Sequence, residues 1–370
     1  KELKLDKYIV PIKNTENYIE YNKDKNISEN KSNLKKKYSK ILYNLLNSSK
    51  IKNISDTILK KNYFSDILKK FFNNKEYKTI ENTFEYNNKL NNLNSYNAIK
   101  YFRDDYNHLS KFYILSVGYD SIIYKMIESI EKNKNYKLQK NSYVQNIVYD
   151  TNKNQYSITY NNKKVNCKYV VCAIPRNDLI KFNILKKYNY LLNTINEISK
   201  VRIFQIYKKD EINNKMWFEN IEKTSTNDEL QFVIPINSNN GLIMSSYNEN
   251  ISTKKNYWNE LFKRGGNLFH KTLQKKLSNL FNIYVPISEY TKICYWPKGI
   301  ACWKKNVDSS IVSEKILNIM HNFYICGENY SEYQAWCEGA LETSEKVLCK
   351  LYCNLQKTNK NKTKKNKKNK

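Results

Sequence analysis

The chain has 370 residues and a formal net charge of +29; 40% of it is hydrophobic, with 32 Tyr and 14 Phe. That length is enough for two domains with sizeable cores, and the apolar content excludes a wholly disordered chain. The charge is almost entirely lysine, since of 64 Lys and Arg only Arg103, Arg176, Arg202 and Arg264 are arginine; nucleic-acid readers lean on arginine, so the excess is ambiguous as a sign of nucleic-acid binding.

Lys, Asn, Ile and Tyr are abundant together, the imprint of an AT-rich genome. No apolar run approaches the roughly 20 residues that span a bilayer, and no signal peptide opens the chain. The first residue is Lys1 rather than Met, and a segment upstream, removed or never assembled, is expected. Eight cysteines form no Cys-x-x-Cys pair and have no His at zinc-ligand spacing, so no metal site is expected. Cys172 and Cys326 lie in apolar strands and are most simply reduced core thiols of an intracellular, cytoplasmic protein.

Residues 1–30 are polar, with one strand-like piece at Tyr8–Ile12. Helical spacing follows at Tyr38, Ile41, Leu42, Leu45 and Leu46, then from Ile58 to Phe72 with Ser55-Asp56 as its cap, and again over Tyr96–Tyr106. Phe112–Gly118 followed by Ile122, Ile123, Met126, Ile127 and Ile130 predicts a strand, a glycine and an amphipathic helix. Tyr143–Tyr149, Gln155–Tyr160 and Lys164–Cys167 form a small meander through turns at Asp150–Asn154 and Asn161-Asn162. Lys168–Ile174 is a continuous apolar strand stopped by Pro175.

Leu185–Ser199 is helix or loop by pattern. Lys200–Tyr207 alternates as a half-buried strand, which puts Lys200 and Arg202 on one face. Gln231–Ile236 and Gly241–Tyr247 predict a hairpin. Helices follow around Trp258, Leu261 and Phe262 and over Leu268–Phe281. Ile293–Trp296 is a strand, and Pro297-Lys298-Gly299 turns into Ile300–Trp303. Eight lysines fill the last fourteen residues, Lys357 to Lys370, which carry no apolar residue and are expected as a disordered tail.

The densest motif lies between Phe323 and Leu348. A buried strand, Phe323–Cys326, stops at Gly327-Glu328, a polar loop runs to Ala335-Trp336-Cys337, and helical spacing starts at Glu338 with a Gly339-Ala340 pair. A helix start of this kind holds negative charge, and the small pair allows close approach of a planar ligand or a neighbouring strand. An ordinary strand-to-helix connection with a core tryptophan fits the same residues.

Gly327-Glu328 followed by Trp336-Cys337-Glu338-Gly339-Ala340 resembles the C-terminal signature of the flavin-containing amine oxidoreductases, the family of monoamine, polyamine and L-amino-acid oxidases. The low-glycine, Lys/Asn-rich style is similar to that of homologues from large DNA viruses, so a virion location joins the cytoplasmic one as an expectation. The resemblance covers roughly Phe112 to Leu351. It implies a mixed α/β fold: a Rossmann-like FAD-binding domain with an inserted β-meander, plus a substrate domain of mixed sheet and helix. The segments expected are 1–111 as the helical part of the substrate domain, 112–182 as the middle of the FAD-binding domain and 183–292 as substrate domain. Residues 293–353 complete the FAD-binding domain and 354–370 form the tail.

The resemblance also implies FAD as cofactor, a small amine as substrate and O2 as the final oxidant, with hydride passing from the amine α-carbon to the flavin. It places Val144 at the adenine, and Glu328, Ala335, Trp336, Cys337, Glu338, Gly339 and Ala340 at the flavin. Trp336, Trp303 and Cys302 line the substrate cage. Cys302 lies near a position that carries a covalent flavin bond in some relatives, though no such bond is expected here. Arg202, with Lys200 two residues before it, matches the strand lysine that holds a water at the flavin; an arginine there keeps its charge and orients water without shuttling a proton.

One feature of the family is absent. Its members begin with strand, Gly-x-Gly-x-x-Gly and helix, and the seven glycines here form no such fingerprint. The alternative to an enzyme is therefore a truncated or degenerate homologue that acts through its basic surface, with the lysine tail, on nucleic acid or acidic partners.

Overall fold

The computed structural model describes residues 3–12, 17–22, 24–84, 87–105, 112–251 and 256–368. Its strands, in chain order, are β1 (Ile9–Ile12), β2 (Asn17–Asn22), β3 (Ile27–Asn30), β4 (Phe112–Leu115), β5 (Val144–Asp150), β6 (Gln155–Tyr160) and β7 (Lys163–Cys167). They continue with β8 (Val170–Cys172), β9 (Ile195–Ile206), β10 (Thr224–Thr226), β11 (Phe232–Asn237), β12 (Leu242–Ile251), β13 (Tyr290–Trp303) and β14 (Phe323–Ile325). The chain divides into two compact units, one of Lys1–Thr15 with Asn107–Cys167, the other of Glu16–Tyr106 with Lys168–Lys370.

The smaller unit holds the antiparallel pair β1–β4, the helix Asp120–Ile130 and the meander β5–β6–β7. The meander is the one the sequence predicts. Its turns run through Asn154, Asn161 and Asn162 at positive φ, a conformation that asparagine tolerates better than most side chains. The first fifteen residues belong to this unit and not to the helices that follow, because β1 pairs along its length with β4. The expected segment 112–182 is likewise divided at Cys167.

The larger unit is built on a seven-stranded sheet in the order β13-β9-β12-β11-β10-β2-β3. Alternation along β9 turns Val201 and Ile203 to one face, where they pack with Ile243 under the helices Tyr257–Arg264 and Gly266–Phe281. Trp258, Phe269, Leu273 and Leu277 supply the helical side of that core and are fully buried. Asn256 caps the first of these helices by accepting from Asn259 N at 3.2 Å, and Trp258 Nε1 donates to Glu229 O at 2.6 Å. A second helical group precedes the sheet in sequence. Ser55 caps Asp56–Lys61 as predicted, and Phe64, Phe84 and Phe102 stack into its core.

Several expectations are corrected here. β9 begins at Ile195, so the stretch to Ser199, ambiguous by pattern, is strand. Ile293–Trp303 is part of a single strand, β13, whose ladder with β9 is interrupted between Trp296 and Ile300 by the Pro297-Lys298-Gly299 bulge. The boundary expected at residue 293 thus falls inside a continuous strand. β2 and β3 were hidden by polar sequence, yet Tyr18 in β2 is buried and β10 pairs parallel beside it. The last helix runs from Cys337 to Lys368 and carries the expected tail as helix. Lysine is a good helix former, and extending an existing helix fixes one residue per added hydrogen bond. Among the described residues no helix is long and apolar enough to cross a membrane.

Candidate functional site

The face of the sheet away from the helical core carries charge. Lys200 and Arg202 on β9 stand opposite Glu249 and Tyr247 on β12. Lys200 Nζ lies 3.7 Å from Glu249 Oε1 and 4.9 Å from the centre of the Tyr247 ring, and the Arg202 guanidinium lies 4.8 Å from the same ring. The β13 bulge passes directly over this point. A Cβ built on Gly299 would sit 3.0 Å from Lys200 Cβ, so glycine is what lets the bulge close on the lysine.

A third cation completes the cluster. Lys89 is buried, donates to Tyr101 Oη at 2.6 Å and lies 3.9 Å from that ring. Asn88 next to it donates to Glu249 O at 2.8 Å and so fastens this helical segment to β12. Burial opposes the Lys89 charge, but Tyr101 and Glu249 outweigh it and hold the ammonium protonated. For Lys200 the balance goes the other way. Burial draws its ammonium below the usual lysine range, Glu249 resists, and Arg202 and Lys89 add to the fall. Among the described residues Arg202 Nε and Glu249 Oε2 are buried without a hydrogen-bond partner, one donor and one acceptor on adjacent cross-strand pairs.

The Gly327-Glu328 loop meets this cluster. Burial pushes the Glu328 carboxyl up, while the Ala335 N–H, the Asn329 amide and the charges of Lys200 and Lys89 pull it back. Glu328 Oε2 accepts from Ala335 N at 2.8 Å, and Ala335 has φ +71, a left-handed conformation that a non-glycine residue holds at a cost of order 1–3 kcal/mol. The loop is anchored from outside. Arg176 N donates to Asn329 Oδ1 at 2.9 Å, Arg176 Nη1 pairs with Glu197 Oε2 at 2.8 Å, and Tyr330 Oη donates to Leu192 O at 2.9 Å. Thr343, one turn into the last helix, accepts from Gly327 N at 2.9 Å and donates back to Gly339 O, locking the strand end to the helix start.

The residues singled out in the sequence separate on this frame. Lys200 and Arg202 share the Tyr247 ring, and the Lys200 charge reaches the Glu328 carboxyl. Trp336 is 44% exposed with its ring 6.3 Å from Tyr101, so it is a wall at the surface of the loop and not a core tryptophan. Trp303 is the reverse: fully buried, it donates from Nε1 to Ser331 O at 3.0 Å and from its backbone to Gln334 Oε1 at 2.9 Å. It is a structural post, too enclosed to face a substrate. Cys302 beside it is also buried, and burial pushes its thiol up to about 12, which leaves it without thiolate character.

Cys337 and Glu338 are exposed at the start of the last helix, where the acid complements the helix dipole. Ala340 is half-buried, its carbonyl accepting from Ser344 Oγ at 2.7 Å. Gly339 is small for a reason internal to the chain. A Cβ there would meet Ser331 Oγ at 2.1 Å and Tyr333 O at 2.3 Å, so the space is filled by the loop itself. Val144 is half-buried in β5 of the smaller unit, paired with Tyr160 beside a bulge.

Sequence reasoning missed Lys89, Tyr101, Tyr247 and Glu249. A single lysine among so many carries no signal, and Glu249 acquires meaning only from the register that sets it across from Lys200.

The arrangement gathers cations and aromatic rings around a buried acid. The chain's seven glycines form no Gly-x-Gly-x-x-Gly run, and the space beside Gly339 is filled by Ser331 and Tyr333.

No protein-family model matches the chain, and no curated protein does. Among solved structures, a "Putative protoporphyrinogen oxidase" from Exiguobacterium sp. 255-15 is similar, with a TM-score of 0.60 and 10% identity over 94% of this chain and 83% of that one. At that identity the likeness is one of fold.

Proposed function

We propose that this chain holds the ring-binding and substrate-binding site of a flavin-dependent oxidoreductase that acts on amines. The observation that supports this most is the cluster of Lys200, Glu249 and Lys89 against the Glu328 loop, with Ala335 held in a left-handed conformation by Glu328. The fold likeness and the resemblance at Gly327-Glu328 and Trp336–Ala340 agree with it. A bound flavin supplies the two-electron redox chemistry; the protein supplies orientation and electrostatics.

In this reading Lys200 presents a cation whose charge burial has weakened, fit to hold a water or a developing negative charge at the ring. Glu249 keeps that cation in place from the neighbouring strand, and Arg202 fixes the Tyr247 ring beneath it. Glu328 sets the loop geometry and places Trp336 as an outer wall that limits water and attracts a cationic amine to its face. In this reading the ring and substrate positions both lie in the larger unit.

The missing glycine fingerprint favours a second reading, a non-catalytic relative acting through its lysine-rich surface on nucleic acid or acidic partners. The test that separates them is anaerobic mixing of the FAD-saturated protein with primary amines, polyamines and amino acids while the flavin absorbance is followed. Bleaching by one class and its return with O2 supports the enzyme. A flavin that binds and never bleaches with any class rules the amine reaction out.

A further inference from the structure

A second site, independent of the first, lies on the helical side of the same sheet. A cavity of about 310 Å³ opens between the helix Gly266–Phe281 and residues 286–291, with Gln205 at its floor. His270, Lys271 and Gln274 line it from the helix; Ser288 and Thr291 line it from the other wall.

The hydrogen bonds of the floor can be counted to an end. Gln205 is 3% exposed, and its Oε1 accepts from Tyr207 Oη at 2.8 Å and from Ser245 Oγ at 2.5 Å. Both of its acceptor positions are used, which fixes the amide so that Nε2 faces the wall. Nε2 donates to Ser288 Oγ at 2.8 Å and to Thr291 Oγ1 at 3.2 Å. Those two hydroxyls lie 2.9 Å apart, so one of their two protons sits between them. The other finds no acceptor among the described residues and is left at the cavity wall. On the facing helix Lys271 makes no ion pair among the described residues, and Gln274, which donates to Val285 O at 2.7 Å, has a second amide hydrogen to spare. The rim carboxylate, Glu289, is already met by Lys208 at 2.8 Å.

A cavity with a spare hydroxyl donor from Ser288 or Thr291 on one wall, an ammonium without an ion pair among the described residues on the other and its rim acid already paired calls for oxygen acceptors bearing negative charge. The geometry points to a binding site for a small oxyanion, a carboxylate- or phosphate-bearing metabolite, seated between Lys271 and the Ser288–Thr291 pair. The volume is at the lower end for ligand sites and fits a molecule of few heavy atoms.

Isothermal titration of the full chain with sodium malonate and with sodium phosphate, at constant ionic strength with chloride as the balancing ion, tests it. The expected result is saturable 1:1 binding of at least one of the two, which also tells carboxylate from phosphate. Binding should weaken about tenfold in Lys271→Gln and again in Ser288→Ala/Thr291→Val, and stay unchanged in Lys263→Gln, a lysine off the cavity. Lys271 is exposed, so its variant folds regardless of the role assigned to it. Heats that never saturate at millimolar anion, or affinities equal in all three variants and the parent protein, overturn the site.

Discussion

Trp303 and Trp336 resemble one another in the sequence, since both match cage positions, but the structure gives them opposite weights. Trp303 is wholly buried and holds Ser331 through its indole N–H, so Trp303→Ala removes a large core side chain and strands a carbonyl. A buried tryptophan truncated to alanine costs about 3–5 kcal/mol, and the lost hydrogen bond places this site at the upper end of that range. Trp336 is 44% exposed and, among the described residues, meets one aromatic ring, the tilted Tyr101; that contact and its partial burial together are worth about 2 kcal/mol. The two variants should therefore differ by about 2 kcal/mol or more in urea unfolding. Amine-dependent flavin bleaching should move in the opposite order, slowed in Trp336→Ala and unchanged in whatever Trp303→Ala remains folded. Equal destabilisation by the two substitutions would refute the placement of Trp336 as an outer wall.

Three further outcomes follow from the same geometry. Glu249→Gln leaves Lys89, Lys200 and Arg202 facing one another and should cost about 3–5 kcal/mol, whereas Lys200→Met removes one of the three cations and should cost less than about 1; chemical denaturation of both variants checks the asymmetry. Gly339→Ala forces a methyl into Ser331 and Tyr333 and should destabilise by about 2 kcal/mol or more, measured by thermal melting. Asp308 caps the helix Ser309–Leu317 and pairs with Lys60 at 2.7 Å, chiefly through that bond falling to a pKa of about 2. Its folded value is below its unfolded one, so its contribution is present above about pH 4 and is lost as pH falls through about 2. The pair is a third exposed, and screening holds the contribution to about 1 kcal/mol; Asp308→Asn, which keeps the cap, should lose that much at pH 6 and almost nothing below about pH 2.

What was legible in the sequence was local. The meander, the Ser55 cap, the helix with Trp258 and the strand that stops at Gly327 all follow from alternation, helical spacing and turn residues, signals that need no partner. The charged cluster did not, because it is made by register. Lys200 meets Glu249 only once β9 and β12 pair with a bulge between Met244 and Ser246, and Lys89 arrives from a four-residue helix with no pattern of its own. That Trp303 and Cys302 are wholly covered was hidden for a related reason: position along a strand does not say which face is covered. The close approach that Gly339 allows is taken up by Ser331 and Tyr333, a loop folded against the first turn of the last helix, which spacing in sequence conceals.

The central claim, a site that fits the flavin ring and has no hold on the pyrophosphate, is tested most directly by fluorescence titration with riboflavin, FMN and FAD in parallel. Binding carried by the ring alone predicts dissociation constants equal within a few-fold for all three, each weakened about tenfold by Lys200→Ala, the loss of roughly 1.4 kcal/mol. Tight FAD binding without measurable riboflavin binding, or no quenching by any of the three, would contradict it.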